Sequence, residues 1–347
     1  MKKPLVVIGA VAMALFTIAG EQSAPAASTP LYVYSAQGYD SDVSKAFTKA
    51  TGIPVNLVDD STGPLLAKIQ AEKNNPRWGV LWVDGNTPFA ALDKQGLLAT
   101  YKSKASFNTL GKSLVPTDNS YIPTGTTVMA AMIYNADKVT NVPTSYQDLL
   151  KPQYKGMIGM NDPSQSGPTF PFIAGIFNQL GGQTNGVKAG EEFFKQLKGN
   201  GLQVFPTNGD TKHALETGLI NIGLIQSSAA IGEVIKFTAK PQAGFNPKIV
   251  YLPKSTLLPS VIGIDDKVSA TEQVEAKKFV DFVLSAAGQK AMQGGDASGD
   301  SLYWPVIGGI NPLPQLPAAP AFQSIDPYFW GPQQGTIDDW FDTNIKG

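Results

Sequence analysis

The pattern of hydrophobic and polar positions is clearest over residues 55–70, which read VNLVDDSTGPLLAKIQ. Val55 and Leu57 alternate with polar neighbours, which is typical of a strand with one buried face. After a run of turn-forming residues, the apolar positions Leu65 and Ile69 recur at helical spacing. A strand that passes through small polar residues into a helix presents free N–H groups at the positive end of the helix dipole. The stretch therefore predicts a place for an anion or a polar ligand head, and an ordinary helix cap is the alternative.

The same order of strand, polar loop and helix recurs along the chain and predicts an α/β protein. In parallel sheets of this kind, ligands bind beyond the carboxyl ends of the strands. Strands are predicted at 31–34, 55–58, 78–83, 155–160, 201–205 and 220–226.

Two further strand-like segments predict that the chain passes into a second lobe and returns. Residues 124–134 are strand-like and stand where a crossing to a second lobe is expected, and residues 255–264 are expected to cross back. Two α/β lobes joined by two crossings predict a hinged cleft that closes on a ligand. The predicted boundaries are 1–27 for a signal segment, 28–126 with 259–347 for lobe 1, and 127–258 for lobe 2.

The N-terminal residues have the pattern of an export signal. Lys2 and Lys3 precede an apolar run at 5–19, and small residues at Ala26 and Ala27 predict cleavage near that point, with the mature chain in the periplasm. The run is shorter than the about 20 residues of a membrane-spanning helix. Because cysteine is absent, neither a lipid anchor at the cleavage site nor a disulfide framework is expected.

The net charge and the composition limit the classes of partner and ligand that the protein is expected to bind. The chain has 347 residues and a formal net charge of −1, which gives no basic footprint for nucleic acid and no polybasic membrane signal. Arg77 is the only arginine. A site that grips an anion with arginine side chains is therefore nearly excluded. Any anion must be held by backbone N–H groups, hydroxyls or lysine.

The sequence carries no motif typical of an enzyme. It lacks a G-x-S-x-G, an H-E-x-x-H, a phosphate loop and a G-x-G-x-x-G. His213 is the only histidine, which excludes a multi-histidine metal site. We therefore expect no catalytic residues, no metal and no cofactor. The alternative from another class is a secreted hydrolase of phosphorylated compounds that uses Asp59, Asp84 or Asp210 for acid–base chemistry.

Small hydroxyl residues recur where the predicted strands pass into helices. Junctions of this kind in both lobes predict a shared cleft lined by hydroxyls and N–H groups, whereas the alternative is that all are helix caps. They contain Ser35, then Ser61 with Thr62 and Gly63, then Ser166 with Gly167 and Thr169, and finally Ser227 with Ser228.

Six stretches together resemble a known family and cover nearly the whole mature chain. They read LYVYSAQGYDSDVSKAFTKATGIPV, DDSTGPLLAKIQAEKNNPRWGVLWVDG, TGTTVMAAMIYN, SYQDLLKPQYKGMIGMNDPSQSGPT, GDTKHALETGLINIGLIQSS and YWPV. Their order and spacing resemble the type 2 periplasmic solute-binding proteins of ABC importers, in the branch of ferric-ion, thiamine and phosphonate or sugar-phosphate binders. The resemblance implies two Rossmann-like lobes, a small solute closed between them, and delivery to a membrane permease. We expect a monomer.

A departure from the family pattern bears on the ligand. Ferric binders of this branch hold iron with a tyrosine pair after the strand equivalent to 220–226, whereas residues 226–230 here read QSSAA. Serine hydroxyls are poor ligands for ferric iron. The remaining similarity is to members that bind phosphorylated or phosphonate solutes. Ferric ion, thiamine and polyamines are the alternative ligands.

The resemblance implies a ligand-binding set in the loops of both lobes. Its hydroxyls are expected to bind the anionic head, while Asp84 and Asp210 accept hydrogen bonds from hydroxyl or amino groups of the solute. Tyr39, Trp82 and Trp304 are expected to pack on the body of the solute. The set consists of Ser35, Gln37, Ser61, Thr62, Gly63, Asp84, Thr126, Ser166, Gly167, Thr169, Thr207 and Asp210.

Overall fold

Strands and helices alternate along the chain in the computed structural model, which describes residues 30–297 and 299–346. The predicted signal segment at 1–27 lies outside the described residues. The strands are β1 Leu31–Ser35, β2 Val55–Asp59, β3 Val80–Asp84, β4 Ile122–Asn135, β5 Ile158–Asn161, β6 Gln203–Phe205, β7 Ile222–Ile225, β8 Pro247–Ile264 and β9 Phe322–Gln323. The helices are α1 Asp40–Thr51, α2 Thr62–Glu72, α3 Thr87–Lys94, α4 Thr109–Leu114, α5 Thr169–Gly199, α6 Asn208–Glu216, α7 Ser227–Ala239, α8 Ala270–Val283, α9 Ala286–Gly295, α10 Pro327–Trp330 and α11 Gln334–Phe341.

The described strands form one mixed sheet, in the order β2-β1-β3-β8-β4-β7-β5-β6, with the short β9 paired to β8. Strands β1, β2 and β3 run parallel to one another and form the first flank. Strands β5, β6 and β7 form the second parallel flank. Each flank is completed by one antiparallel strand, β8 for the first and β4 for the second. The predicted α/β class is confirmed.

The two predicted crossings are the long central strands. β4 has 14 residues and β8 has 18. They pair antiparallel from Ile122 opposite Ile262 to Asn135 opposite Pro247, and the register shifts twice on the way. Because β4 and β8 are hydrogen-bonded to each other and to one flank each, the two flanks belong to one continuous sheet. Register shifts bend a strand pair, which suits a hinge between two lobes.

Aromatic residues fill a separate core beside each flank. In the first, Phe47 of α1 packs edge-on against Phe279 of α8, with ring centroids 5.0 Å apart. In the second, Phe172 and Phe194 of α5 meet at 6.2 Å. None of the helices within the described ranges is both long and apolar enough to cross a membrane. Each flank thus has its own buried core and leaves its strand ends free for a site.

The C-terminal segment contacts both flanks. Phe341 of α11 lies 5.6 Å from Phe194, so the aromatic end of the chain enters the second core. The hydroxyl of Tyr328 donates a hydrogen bond of 2.9 Å to Asp93 of α3, in the first flank. The lobe boundaries given above, which assign all of 259–347 to lobe 1, stay a prediction.

A serine cap divides the helical segment that follows β8 into two helices, α8 and α9. The Ser285 hydroxyl accepts a 3.2 Å hydrogen bond from the N–H of Gly288, which starts α9 anew. The apolar spacing continues through both helices, so the hydrophobic pattern alone could not reveal the break.

Candidate functional site

A cavity of about 150 Å³ lies between the two flanks, beyond the carboxyl ends of the parallel strands. Loops after β1, β2 and β3 line it from the first flank, and loops after β5, β6 and β7 line it from the second. The lining residues are Ala36, Ser61, Thr62, Asp84, Gln165, Ser166, Gly167, Pro168, Thr207, Asn208, Gly209, Gln226 and Asp300.

A larger cavity lies beside it. Its volume is about 530 Å³, and its walls are formed by α2, α3, the 163–164 turn and the C-terminal segment. Its lining includes the apolar Leu66, Pro88 and Leu92 and also the polar Gln70, Lys94 and Asp338. The smaller cavity is the better candidate site because it combines strand ends, helix starts and buried polar side chains.

The start of α2 forms the first wall of the candidate site. Ser61, the N-cap residue, has an extended backbone and makes no capping hydrogen bond with its side chain. Its N–H donates to Oδ1 of Asp60 at 2.7 Å. Thr62 is only 3% exposed, yet its side chain lines the cavity. Both hydroxyls are therefore available to a ligand.

The starts of α5, α6 and α7 form the opposite wall. Ser166 Oγ accepts a 3.3 Å hydrogen bond from the amide of Asn161, which leaves the serine O–H to donate. The Asn161 amide also donates to Asn208 Oδ1 at 2.7 Å, and the backbone N–H of Gln226 donates to the same oxygen at 3.4 Å. With α2, four helix N-termini converge on one cavity and direct the positive ends of their dipoles toward it. We call this part the donor end, defined by the hydroxyls of Ser61, Thr62 and Ser166.

Two glycines allow the opposing walls to touch. The N–H of Gly63 donates across the cleft to the carbonyl oxygen of Gln165 at 3.3 Å. A methyl group on Gly63 would lie 2.0 Å from the carbonyl oxygen of Ser164, and one on Gly167 would lie 2.5 Å from the side chain of Thr62. Since neither distance is sterically possible, side chains at these positions would hold the walls apart.

Asp84, at the end of β3, accepts hydrogen bonds from both flanks. Its Oδ1 accepts from Ser260 Oγ at 2.5 Å and from the Gln37 amide at 3.1 Å, and its Oδ2 accepts from the Gln226 amide at 2.9 Å. Burial raises the pKa of this carboxyl, and the three donors lower it again in part. The bond from Gln226 joins the second flank to the first at the floor of the cavity.

A second carboxylate, Asp300, lines the same cavity from the loop after α9. Its Oδ2 accepts a 2.8 Å hydrogen bond from the N–H of Gly38. Burial is the main reason that the pKa of Asp300 is raised to about 7, and the negative charge of Asp84 raises it further. We call Asp84 and Asp300 the acidic end.

The structure brings part of the predicted set together. Gly63 lies at the contact between the walls and also lines the larger neighbouring cavity. The predicted residues that line the candidate site are Ser61, Thr62, Asp84, Ser166, Gly167 and Thr207.

Five predicted residues stand outside the lining because their polar groups have other roles or are buried. The Ser35 hydroxyl accepts from the N–H of Gln37, whose amide is held by Asp84. The Thr126 hydroxyl donates to the Trp304 carbonyl at 3.0 Å. Asp210 forms a reciprocal capping box with Thr207 at the start of α6. The Thr169 hydroxyl is buried without a hydrogen-bond partner among the described residues.

The three aromatic side chains expected on the ligand pack within the protein instead. Tyr39 and Trp82 have ring centroids 5.2 Å apart, and Trp82 Nε1 donates to the Thr124 hydroxyl. Trp304 Nε1 donates to the carbonyl of Pro317 at 2.9 Å. None of the three lines the candidate site.

The predicted set lacks four polar residues of the site, which are Gln165, Asn208, Gln226 and Asp300. Asn208 and Gln226 stand at strand–helix junctions like those singled out, so their side-chain amides were within reach of the same reasoning. Asp300 follows a helix and a glycine-rich loop, not a predicted strand. Only the folding of that loop onto Gly38 brings it to the cavity.

The chain is similar to known proteins over most of its length. A protein of Salmonella paratyphi A, which carries the name of a 2-aminoethylphosphonate-binding periplasmic protein, is 28% identical over 291 residues, covering 80% of each chain. Among solved structures, the periplasmic binding protein AfuA from Actinobacillus pleuropneumoniae, with fructose-6-phosphate bound, is 22% identical with a TM-score of 0.75, covering 91% of this chain and 98% of that one. The periplasmic binding protein P5PA is 23% identical with a TM-score of 0.76, covering 92% of this chain and 100% of that one.

These structures share the predicted two-lobed fold of type II periplasmic binding proteins, which is thereby confirmed. The profile of bacterial extracellular solute-binding proteins matches residues 42–324. The chain therefore belongs to the bacterial extracellular solute-binding protein family, whose members capture small solutes for ABC importers.

Proposed function

We propose that the protein is a periplasmic receptor that captures a small solute with a phosphonate or phosphate head and delivers it to the permease of an ABC importer. The convergence of four helix N-termini and three hydroxyls on one cavity carries this proposal. Helix starts bind phosphate-type oxyanions through backbone N–H groups without needing arginine. This mode suits the chain, since its single arginine, Arg77, does not line the site.

The similar proteins support the choice of head group. The Salmonella relative is named for 2-aminoethylphosphonate, and AfuA holds fructose-6-phosphate. Both solutes carry a phosphorus oxyanion. Ferric ion fits less well, because the lining offers two carboxylates and no tyrosine or histidine. The cavity is also smaller than the about 300 Å³ at which drug-sized ligand pockets begin, which favours a short solute.

Isothermal titration calorimetry on the purified mature chain tests this proposal. The panel is 2-aminoethylphosphonate, ethylphosphonate, inorganic phosphate, fructose 6-phosphate, thiamine, spermidine and ferric citrate. We expect at least one phosphonate or phosphate to bind. It should also raise the free energy of unfolding by about 2.7 kcal/mol at 100 times its Kd. Binding of thiamine, spermidine or ferric citrate in the absence of any phosphorus oxyanion would overturn the proposal.

The proposal includes a receptor without catalytic activity. Of the three acids considered for a hydrolase, Asp59 is exposed outside the lining and Asp210 is held in the capping box of α6. Asp84 accepts hydrogen bonds from three side chains that fix its orientation. We expect no release of free phosphate when the protein is incubated with phosphate esters, and a measured release would contradict this part.

Two further parts of the proposal concern assembly and export. We propose that the mature receptor is a monomer and that the segment at 1–27 is removed on export. Size-exclusion chromatography with light scattering on protein recovered from the periplasm tests the first part. Mass spectrometry of the same sample tests the second, for which a mature N-terminus near Ala27 is expected.

A further inference from the structure

The acidic end differs from the rest of the candidate site in having no cation to balance it. Asp84 and Asp300 line the same cavity, and the charge of the first raises the pKa of the second. Among the described residues, neither carboxylate forms an ion pair with a lysine, an arginine or the histidine. Asp84 is 5% exposed, and two acids that share a small cavity without a counter-charge are costly to keep ionised. A ligand cation would supply the missing charge.

A buried acceptor beside the acids also lacks a donor. Gln37 is 1% exposed, and its amide nitrogen is fixed on Oδ1 of Asp84. The other end of the same amide, Oε1, is fully buried and has no hydrogen-bond partner among the described residues. A buried acceptor without a donor is unfavourable. The local shortage is therefore of donors as well as of positive charge.

We propose that the acidic end binds the protonated primary amine of the solute, so that the cavity selects zwitterionic aminoalkyl phosphonates over phosphate and sugar phosphates. This inference rests on the proposed function, because the phosphonate at the donor end places the amine. An ammonium group is the only common ligand group with three donors and no acceptor. It can donate to both carboxylates of the acidic end.

The same arrangement discriminates against solutes without an amine. A phosphate or sugar phosphate would bring its negative charge into a small cavity that already holds Asp84 and Asp300, and like charges at short range repel. A sugar hydroxyl can donate only one hydrogen bond and carries no positive charge. The cavity of about 150 Å³ also leaves little room for a hexose ring. Charge, donor number and size all favour a short amino solute.

A matched pair of ligands tests this selection. 2-Aminoethylphosphonate and ethylphosphonate share the head and the two-carbon chain and differ only in the amine. By calorimetry on the wild-type protein at pH 8, we expect the amino ligand to bind at least about 30-fold more tightly, as two charge-assisted hydrogen bonds would give. In Asp300→Asn, we expect this preference to fall at least about 10-fold, with ethylphosphonate binding unchanged or improved.

The control is Asp266→Asn, which removes one exposed carboxylate outside the cavity. It should keep the wild-type preference, so that a loss there would indicate a general effect of net charge. Asn at position 300 retains an oxygen for the N–H of Gly38, and thermal melts verify that each variant folds. Equal binding of the two ligands to the wild-type protein, or a full preference in Asp300→Asn, would overturn this inference. If neither phosphonate nor any phosphate binds, the proposed function itself fails.

Discussion

The donor end and the acidic end of the candidate site consist of different chemical groups. The donor end consists of hydroxyls and N–H groups at the starts of helices, contributed by loops of both flanks. The acidic end consists of two carboxylates, one at the end of β3 and one in a loop after α9. The donor end uses groups that every helix start leaves unsatisfied, so it costs the fold little. The acidic end buries negative charge, which opposes folding unless a ligand balances it.

In the proposed receptor the two ends have separate roles. The donor end binds the oxyanion, and the acidic end discriminates among the solutes that carry one. Any small oxyanion satisfies the donor end, because helix starts recognise charge and shape only coarsely. The acidic end favours a solute whose cationic group lies beside Asp84 and Asp300. Burial and the charge of Asp84 raise the pKa of Asp300 to about 7, so its ionised form is disfavoured in the ligand-free protein. We therefore expect the two ends to respond differently to mutation and to pH.

The largest effect is expected where both ends are brought together. In Gly63→Ala, the new methyl group would lie 2.0 Å from the carbonyl oxygen of Ser164, so the walls cannot close as observed. A ligand that needs the closed state then loses affinity in proportion to the lost closed population. We expect at least about 100-fold weaker binding of both phosphonates, measured by calorimetry.

The matched control for closure is Gly199→Ala. This glycine ends α5, and a methyl group there meets nothing within 4 Å. It should bind like the wild-type protein, and thermal melts verify that both variants fold. Wild-type affinity in Gly63→Ala would show that the contact between the walls is not needed for binding.

The donor end should act on both ligands alike. The double variant Thr62→Val with Ser166→Ala removes two hydroxyls that line the cavity. We expect about 30-fold weaker binding of 2-aminoethylphosphonate and of ethylphosphonate, with the ratio between them unchanged. A change confined to one ligand would mean that these hydroxyls do not contact the shared head.

Thr126→Val is the control for losing a buried hydroxyl outside the lining. It removes a hydrogen bond to the carbonyl of Trp304. We expect a loss of about 1 kcal/mol in the free energy of unfolding and no change in affinity. A threonine within the predicted set thus serves to separate stability from binding.

The acidic end should make selection depend on pH. Asp300 faces Asp84, Asp296 and Asp40, all acids, and its pKa is about 7. From pH 6 to pH 8 it becomes ionised, so the preference for 2-aminoethylphosphonate over ethylphosphonate should rise about fivefold. The ammonium group lowers the second pKa of the phosphonate in the amino ligand, so the dissociation constants are first corrected for the separately measured titration of each free ligand. A falling ratio would mean that the acids act as protonated donors to the oxyanion.

The smallest expected effect is on the ligand-free protein. The pKa of Asp300 is raised in the folded state, so the folded protein binds the proton more tightly than the unfolded chain does. This carboxyl therefore opposes folding increasingly as the pH rises from about 4 to about 7. Asp300→Asn removes that penalty, and we expect its melting temperature to exceed the wild type by about 3 °C or more at pH 8 and by less at pH 5.

Calorimetric scans at the two pH values check this expectation. Asp266→Asn again provides the control, because its carboxylate is exposed and should shift the melting temperature little at either pH. A lower melting temperature of Asp300→Asn at pH 8 would contradict an uncompensated charge at the acidic end. Such a result would favour a purely structural role for the bond to Gly38.

The alternation of strands and helices was predictable because it is local. In residues 55–70, the alternating apolar positions and the following polar run predict the end of β2 and the start of α2 within a few residues. The two crossings at 124–134 and 255–264 were predictable for the same reason, since they are long strand-like segments. Their pairing into one continuous sheet was not, because register between distant strands leaves no local signal.

The two ends of the candidate site differ in the same way, because one depends on local features of the sequence and the other on contacts between distant segments. The sequence by itself determined the donor end, because a helix start is a local feature that Ser61, Thr62 and Ser166 mark directly. Only the tertiary structure decided which hydroxyls are left for a ligand: those of Ser35 and Thr126 are engaged within the fold. It also assembled the acidic end.

Residues far apart in the chain meet at that end. Asp84 is held by side chains 47, 142 and 176 positions away, and Asp300 is tied to Gly38 over 262 positions. The stretch at 55–70, VNLVDDSTGPLLAKIQ, thus supplies one wall of the proposed anion site by local rules. The proposed choice among anions depends on long-range packing, because burial and charge proximity arise only when distant segments fold together.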